Sequence, residues 1–290
     1  MNKSRKLMAG VLIGVVCALG AWGLNLTGGL EAPEHITWDA RQTWLAEPVG
    51  SDVPIRIILL DEQSLEWARG GMGLSWPWPY EVYTPIINFC RRSGAKAIAF
   101  DVMFTEPGRY GPADDQKLAD AMAGASDFVA FIHPGKQDVA TSGWSAEIER
   151  PGVSVQGLED YIDRNEIEGL TAEGCVFPLA LFARSATMLG HIGIDKEGVL
   201  RRVRPVMRFD GSDIPTMGLA AYLVGTKQTQ AQMRIEGDDL SIGDHRIPLG
   251  SDGRALLRYR KPDKDQNKHL YKSYSAAAVI QSQLRLVAGQ

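Results

Sequence analysis

Residues 55–61 read Ile-Arg-Ile-Ile-Leu-Leu-Asp and residues 96–101 read Lys-Ala-Ile-Ala-Phe-Asp. Each is a short apolar run closing on an aspartate, the pattern of a strand buried on both faces. Between them lie Trp-Pro-Trp-Pro (76–79) and a helical pattern from Tyr80 to Ser93 that stops at Gly94, a residue suited to ending helices. Downstream, Asp114 and Asp115 open another helical pattern, acidic residues being favourable at a helix N-terminus, and residues 127–133 (DFVAFIH) read as a third strand. Strands alternating with helices predict an α/β fold, a mostly parallel sheet covered by helices.

Further along, residues 134–175 lose periodicity and read as an insertion or long excursion near the ligand end of the sheet. Residues 177–190 (FPLALFARSATMLG) read as a helix. HIGID and VLRRVRPVMRF then read as a hairpin across the turn Asp195–Gly198. A helix follows from Pro215 to Val224, and QMRIEG, LSIGD, HRIPLG and ALLRYR supply antiparallel additions.

Outward from this domain, residues 7–24 (LMAGVLIGVVCALGAWGL) carry no charge. Eighteen helical residues span about 27 Å, close to the ~30 Å of a hydrocarbon core. Lys3, Arg5 and Lys6 precede the run and the first charge after it is Glu31, so the start is expected in the cytoplasm and the rest outside. A cleaved secretory leader would place the domain on the same side. The apolar run exceeds a usual signal core and Trp22 sits where an interfacial aromatic would, which favours a retained anchor. The expected organisation is a basic cytoplasmic tip (1–6), a transmembrane anchor (7–24), a juxtamembrane stalk (25–50) and an extracytoplasmic domain (51–290).

With 31 basic against 35 acidic side chains, a formal charge of -4, the chain offers no broad positive field, and nucleic acid is not expected as a partner. Cys17 lies in the apolar run, leaving Cys90 and Cys175 as the one disulfide available. Cys90 sits in a helical stretch where a buried free thiol is the commoner state. The five histidines show no zinc-type spacing, and there is no nucleophile elbow, phosphate loop or dinucleotide fingerprint. No cofactor and no metal are implied.

The candidate ligand-binding residues come from strand ends and one stiff loop. Asp61 and Asp101 close two strands, at the sheet edge where α/β proteins bind ligands, and with Glu106, Asp114 and Asp115 form an acidic group able to hold a hard cation or share a proton. Capping of the following helices and turns is the competing role. Trp76 and Trp78 offer aromatic faces on a proline-fixed loop, against the alternative that they anchor it over the core. Arg202 and Arg204 would share a strand face opposite Arg201 and could grip an anion, or pair with Asp195 and Glu197 across the hairpin.

Taken together, IRIILLDEQSL, WPWP, GAKAIAFDVMFTEP with Asp114-Asp115, FPLALFARSATMLGHIGIDKEGVLRRV and IPTMGLAAY, in this order and spacing, resemble the type-two CHASE domain, from about Trp38 to the C-terminus. The resemblance implies a sensory module of a bacterial membrane receptor, anchored by its N-terminal helix. In relatives it is followed by further membrane helices and a cyclase or kinase output. Where relatives continue with another buried strand after the region resembling SYSAAAVIQ, this sequence stops at Gln290, so it is expected to be the sensing half of such a receptor. The membrane and an unidentified extracytoplasmic ligand are the expected partners, with a homodimer open. The alternative is a periplasmic carboxylate- or metal-dependent hydrolase resting on Asp61 and Asp101.

Overall fold

The computed structural model describes residues 3–48, 53–125, 127–135, 140–193, 200–228, 232–261 and 271–289. The chain divides into two units, residues 1–55 with 258–272, and residues 56–257 with 273–290.

In the first unit, α1 (Lys3–Leu26) contains a 22-residue stretch, Arg5–Leu26, long and apolar enough to cross a membrane, and none of its apolar window is buried against protein. Leu7, Leu12 and Trp22 stand more than half exposed along it. An all-round apolar helix without a protein face is stable where lipid replaces water. A turn at Gly28 (φ 71°) leads into α2 (Glu31–Leu45), so the predicted stalk is helical. Beyond α2, Glu47 holds the return segment: its carboxylate meets Arg260 Nη1 at 2.7 Å and its carbonyl accepts from Lys261 N at 3.1 Å.

The second unit opens with β1 (Arg56–Leu59), the first predicted strand. Immediately after it comes α3 (Glu62–Met72), a helix that the sequence pattern does not predict. Asp61 caps it, Leu65 and Ala68 give it an apolar face, and Gly73 ends it in the left-handed region at φ 66°. Gly70 and Gly71 obscured this helix because glycine disfavours helix interiors. A 3-10 turn (Tyr80–Tyr83) runs into α4 (Thr84–Arg92), as expected, then β2 (Ile98–Ala99), α5 (Pro112–Ala125) and β3 (Phe128–Pro134).

The stretch read as patternless holds β4 (Ser154–Gln156), α6 (Leu158–Asn165) and β5 (Cys175–Val176). The helix expected over 177–190 is shorter: α7 (Ala180–Ser185) gives way to β6 (Met188–His191). Thr187 N bonds Phe128 O at 2.8 Å, and sheet pairing claims the apolar residues that follow. Among the described residues no pairing joins HIGID to VLRRVRPVMRF as the expected hairpin would. β6 pairs parallel to β3, whereas β7 (Arg202–Val203) pairs antiparallel to β13 (Ala255–Leu256); the turn itself, 195–198, lies outside the described residues. The hairpin belongs one step later, to β8 (Val206–Phe209) and β9 (Ser212–Pro215) around Asp210-Gly211.

Next, α8 (Met217–Gly225) fills the place predicted for it, capped by Thr216. The strands β10 (Gln232–Glu236), β11 (Asp239–Ile242) and β12 (His245–Pro248) form an antiparallel meander whose β10 edge takes β4 in parallel. Finally, β14 (Lys272–Ser275) pairs with β1 and leads into α9 (Ala276–Val287).

The α/β class therefore holds; β2–β3–β6 and β10–β4 form the parallel ladders, set among antiparallel ones, so a mostly parallel sheet does not emerge among the described residues. The parallel sheet separates two cores. Ala130, Ile132 and Leu189 face one built from α3, α4, α5, α7 and α9, and Val129 and Met188 face one built from α6, α8 and the β10–β11 hairpin. The second core needs Gly190, since a Cβ there would stand 2.7 Å from Met217 Cα.

Candidate functional site

Asp61 reaches its position because β1 ends where α3 begins. It accepts from Ser64 N (2.9 Å), Ser64 Oγ (2.6 Å) and Ser275 Oγ (3.0 Å), while Ser64 Oγ accepts from Ala277 N at 3.1 Å. Burial pushes the carboxyl up, but these hydrogen bonds outweigh it and hold the acid below its ordinary value. Its oxygen is committed to joining the starts of α3 and α9. Asp101 lies two residues past β2 and is exposed. β1 pairs with β14 and β2 with β3, so the two aspartates do not sit on neighbouring strands of one sheet.

The other acidic residues form a clasp. Asp114 Oδ2 and Oδ1 accept from Tyr80 N (2.8 Å) and Glu81 N (2.7 Å), and Asp115 Oδ1 accepts from Gly108 N at 3.0 Å. Both carboxylates are buried in the first turn of α5. Glu106 contributes its backbone carbonyl, which takes the Tyr80 hydroxyl at 2.8 Å, while the residue itself is exposed. Burial raises the Tyr80 hydroxyl, and the charges of Asp115, Glu106 and Asp114 raise it further. Lys117 pairs with Glu81 at the rim of this clasp.

The tryptophan loop divides its roles. Trp78 is 2% exposed, packed against Tyr83 with ring centroids 6.2 Å apart, its indole N–H buried without a hydrogen-bond partner. Trp76 meets Trp78 edge-on at 5.8 Å and stays 56% exposed. One indole anchors the loop, and the other presents a face to solvent. Arg202 Nη1 lies 3.3 Å from Asp252 Oδ2, an oxygen also held by Arg254 Nε at 2.7 Å. Burial pushes the Asp252 carboxyl up, and the bonds from Arg254 with the Arg202 charge bring it below its ordinary value. Arg202 is therefore ion-paired, to Asp252. The expected partners Asp195 and Glu197 lie outside the described residues.

The sequence reading passed over His191. It ends β6, is 2% exposed, and neither ring nitrogen has a hydrogen-bond partner. Burial drives its pKa down to about 4; the nearby Arg204 charge acts the same way, and only the Arg204 backbone opposes it. A signal was present: His133-Pro134-Gly135 and His191-Ile192-Gly193 put the same spacing at the ends of two strands that prove to be parallel neighbours. The two rings lie on opposite faces, because His191 pairs in register with Ile132.

Among the described residues no group of three or more His, Cys, Asp or Glu side chains is arranged to hold a metal ion. The buried carboxylates serve backbone amides and arginines, and the exposed polar candidates are Asp101, Glu106 and Trp76.

An α/β domain thus follows, in the chain, an apolar helix of membrane length. The chain belongs to the CHASE2 domain family, whose model matches residues 12–289, and this is a family of extracytoplasmic sensory, non-catalytic domains. No curated protein and no solved structure matches the chain.

Proposed function

We infer that this chain is the ligand-sensing, extracytoplasmic part of a bacterial transmembrane receptor, held in the inner membrane by α1 with its basic tip in the cytoplasm. The observation that carries the reading is α1 itself, a membrane-length helix without protein packing at the head of a family member that senses outside the cytoplasm. Receptor output belongs to cyclase or kinase modules joined to such domains. The cue is a small extracytoplasmic molecule that favours one of two conformations of the domain and so biases the membrane helix. Of the candidate residues, Trp76, Asp101 and Glu106 are the side chains exposed to meet it.

Two measurements test this. A reporter enzyme active only outside the cytoplasm, fused after residue 289, should be active in cells; an inactive fusion overturns the orientation. Pools of extracytoplasmic metabolites should include one that raises the thermal midpoint and is recovered unchanged. If every stabilising compound emerges chemically altered, the binding reading fails.

A further inference from the structure

We propose that the carboxyl end of β6 is a proton-operated latch, in which protonation of His191 releases residues 190–193 from Ile132 and from the Thr216 cap of α8. The proposal deepens the sensory reading, on which it rests for its purpose alone, by naming the proton as a cue.

The geometry is that of a closed but unfinished site. His191 lies between Ile132 of β3, its register partner, and Thr216, with which it forms an isolated parallel bridge. The next residue, Ile192, donates to Ile132 O at 3.3 Å, a long bond at the last rung of the pairing. The ring lies on the core face that holds Leu189 and Ile132, beside Gly193, whose added Cβ would stand 3.6 Å from the ring. A neutral imidazole tolerates such a place at the expense of two unmade hydrogen bonds. A cationic one needs water or a carboxylate.

No carboxylate is placed to receive that charge among the described residues. The titratable or charged groups on elements packed against β6 are His133 on β3, Asp213 on β9 and Tyr222 on α8, and Arg204 approaches from the segment between β7 and β8. His133 is on the opposite sheet face. Asp213 already holds Arg208 Nε (2.9 Å) and Val155 N (2.7 Å). Tyr222 lies in the second turn of α8 with its ring against His245. Arg204 is itself a cation and repels a protonated ring, and its backbone, which favours the charged form, does not offset burial. Among the described groups none takes up that charge, so opening the strand end into water accommodates the proton.

Release would be felt beyond the strand. Gly190 packs its backbone on Met217 and His191 bridges Thr216, so the start of α8 is seated on the segment that moves, while Thr216 N bonds Pro205 O at 2.8 Å on its other side.

The test is hydrogen exchange on the full chain in lipid nanodiscs, corrected for intrinsic rates, with histidine-ring NMR on the same sample. Between a closed ring titrating near 4 and a free one near 6.5, lowering the pH from 7 to 4.5 favours the open state by on the order of a hundredfold. Protection of residues 190–193 and 216–220 should fall by that factor while the β10–β11 hairpin keeps its own. In His191→Gln, and in His191→Phe should the first variant fold poorly, the pH dependence should vanish. Constant protection, an equal loss in the variants, a uniform loss across the domain, or a His191 ring titrating at 6.5 in the closed state would each overturn the latch. None of these outcomes bears on reporter orientation or ligand stabilisation, so a failed latch leaves a ligand-operated sensor standing.

Discussion

Asp115 Oδ1 accepts a hydrogen bond from Gly108 N at 3.0 Å, and a Cβ built on Gly108 would stand 2.5 Å from that same oxygen. The carboxylate approaches as closely as it does because residue 108 has no side chain. Asp114 Oδ2, at 3.1 Å, and the Tyr80 ring, at 3.2 Å, close the remaining directions. Gly108→Ala must therefore push the Asp115 carboxylate off its bond to residue 108 or displace the loop from α5. A loss of about 2 kcal/mol is expected, from overpacking together with a buried carboxylate left short of a donor. Urea unfolding checks it, and an unchanged midpoint would show that the loop relaxes freely.

Asp61 offers a second test, with a pH signature. Asp61→Ala removes the cap of α3 and the acceptor shared by Ser64 and Ser275, for an expected loss of roughly 2 kcal/mol at neutral pH. Its folded-state pKa is depressed below 3.8, so its contribution is fully present above the unfolded value and lost as pH falls through the folded one. The stability difference between wild type and Asp61→Ala should accordingly stay constant from pH 7 to about 5 and narrow below pH 4. A difference that widened with acid would contradict the hydrogen-bond pattern.

These two sites show what was legible in the sequence. IRIILLD and KAIAFD announced strands because β-branched and other apolar residues ran between polar boundaries, and acids at helix starts announced α5. Capping of the following helix, the part Asp61 plays, was already the competing role for acids at strand ends; the bond from Gly108 N to Asp115 was not. What could not be read was partnership. FPLALFARSATMLG runs on without a break residue, and only the parallel neighbour β3 decides that its last part is strand. Arg202 was rightly suspected of an ion pair, yet its partner Asp252 is 50 residues away, brought close by the β7–β13 pairing that local patterns do not encode. His191 carried no metal-type spacing; the His-x-Gly shared with His133 marked its place at a strand end, but the burial of its ring follows from tertiary packing.

The thiols provide a third prediction. Cys90 and Cys175 are free, and burial pushes their pKa values to about 11 and about 12, with the Asp127 charge adding to the rise at Cys90. Both should be protonated and slow to react in the folded domain at pH 8. In a Cys17→Ser background, which silences the thiol of α1, thiol reagents should label neither residue on the minute scale until denaturant is added, and then both. Labelling of neither after unfolding would mean that a disulfide joins them.

Asp213 supports the sharpest stability prediction. It is 6% exposed on β9, with Oδ2 accepting from the buried Val155 N at 2.7 Å and Oδ1 accepting from Arg208 Nε at 2.9 Å. Thus one carboxylate fixes the start of β4 to the β8–β9 hairpin and neutralises an arginine that is itself largely buried. Asp213→Ala leaves Val155 N without its acceptor and Arg208 with only the exposed Glu159 at 3.5 Å, and since breaking a buried pair from one side costs about 3 to 5 kcal/mol, a loss toward the lower end of that range is expected. Asp213→Asn keeps an acceptor for Val155 N but loses the charge, so it should fall between wild type and the alanine variant. Replacing Arg208 and Asp213 together by apolar residues of similar size should recover part of the loss, since it then leaves only Val155 N without its acceptor. Thermal unfolding of the three variants orders them, and equal destabilisation in Asp213→Ala and Asp213→Asn would locate the whole effect in the charge pair with Arg208.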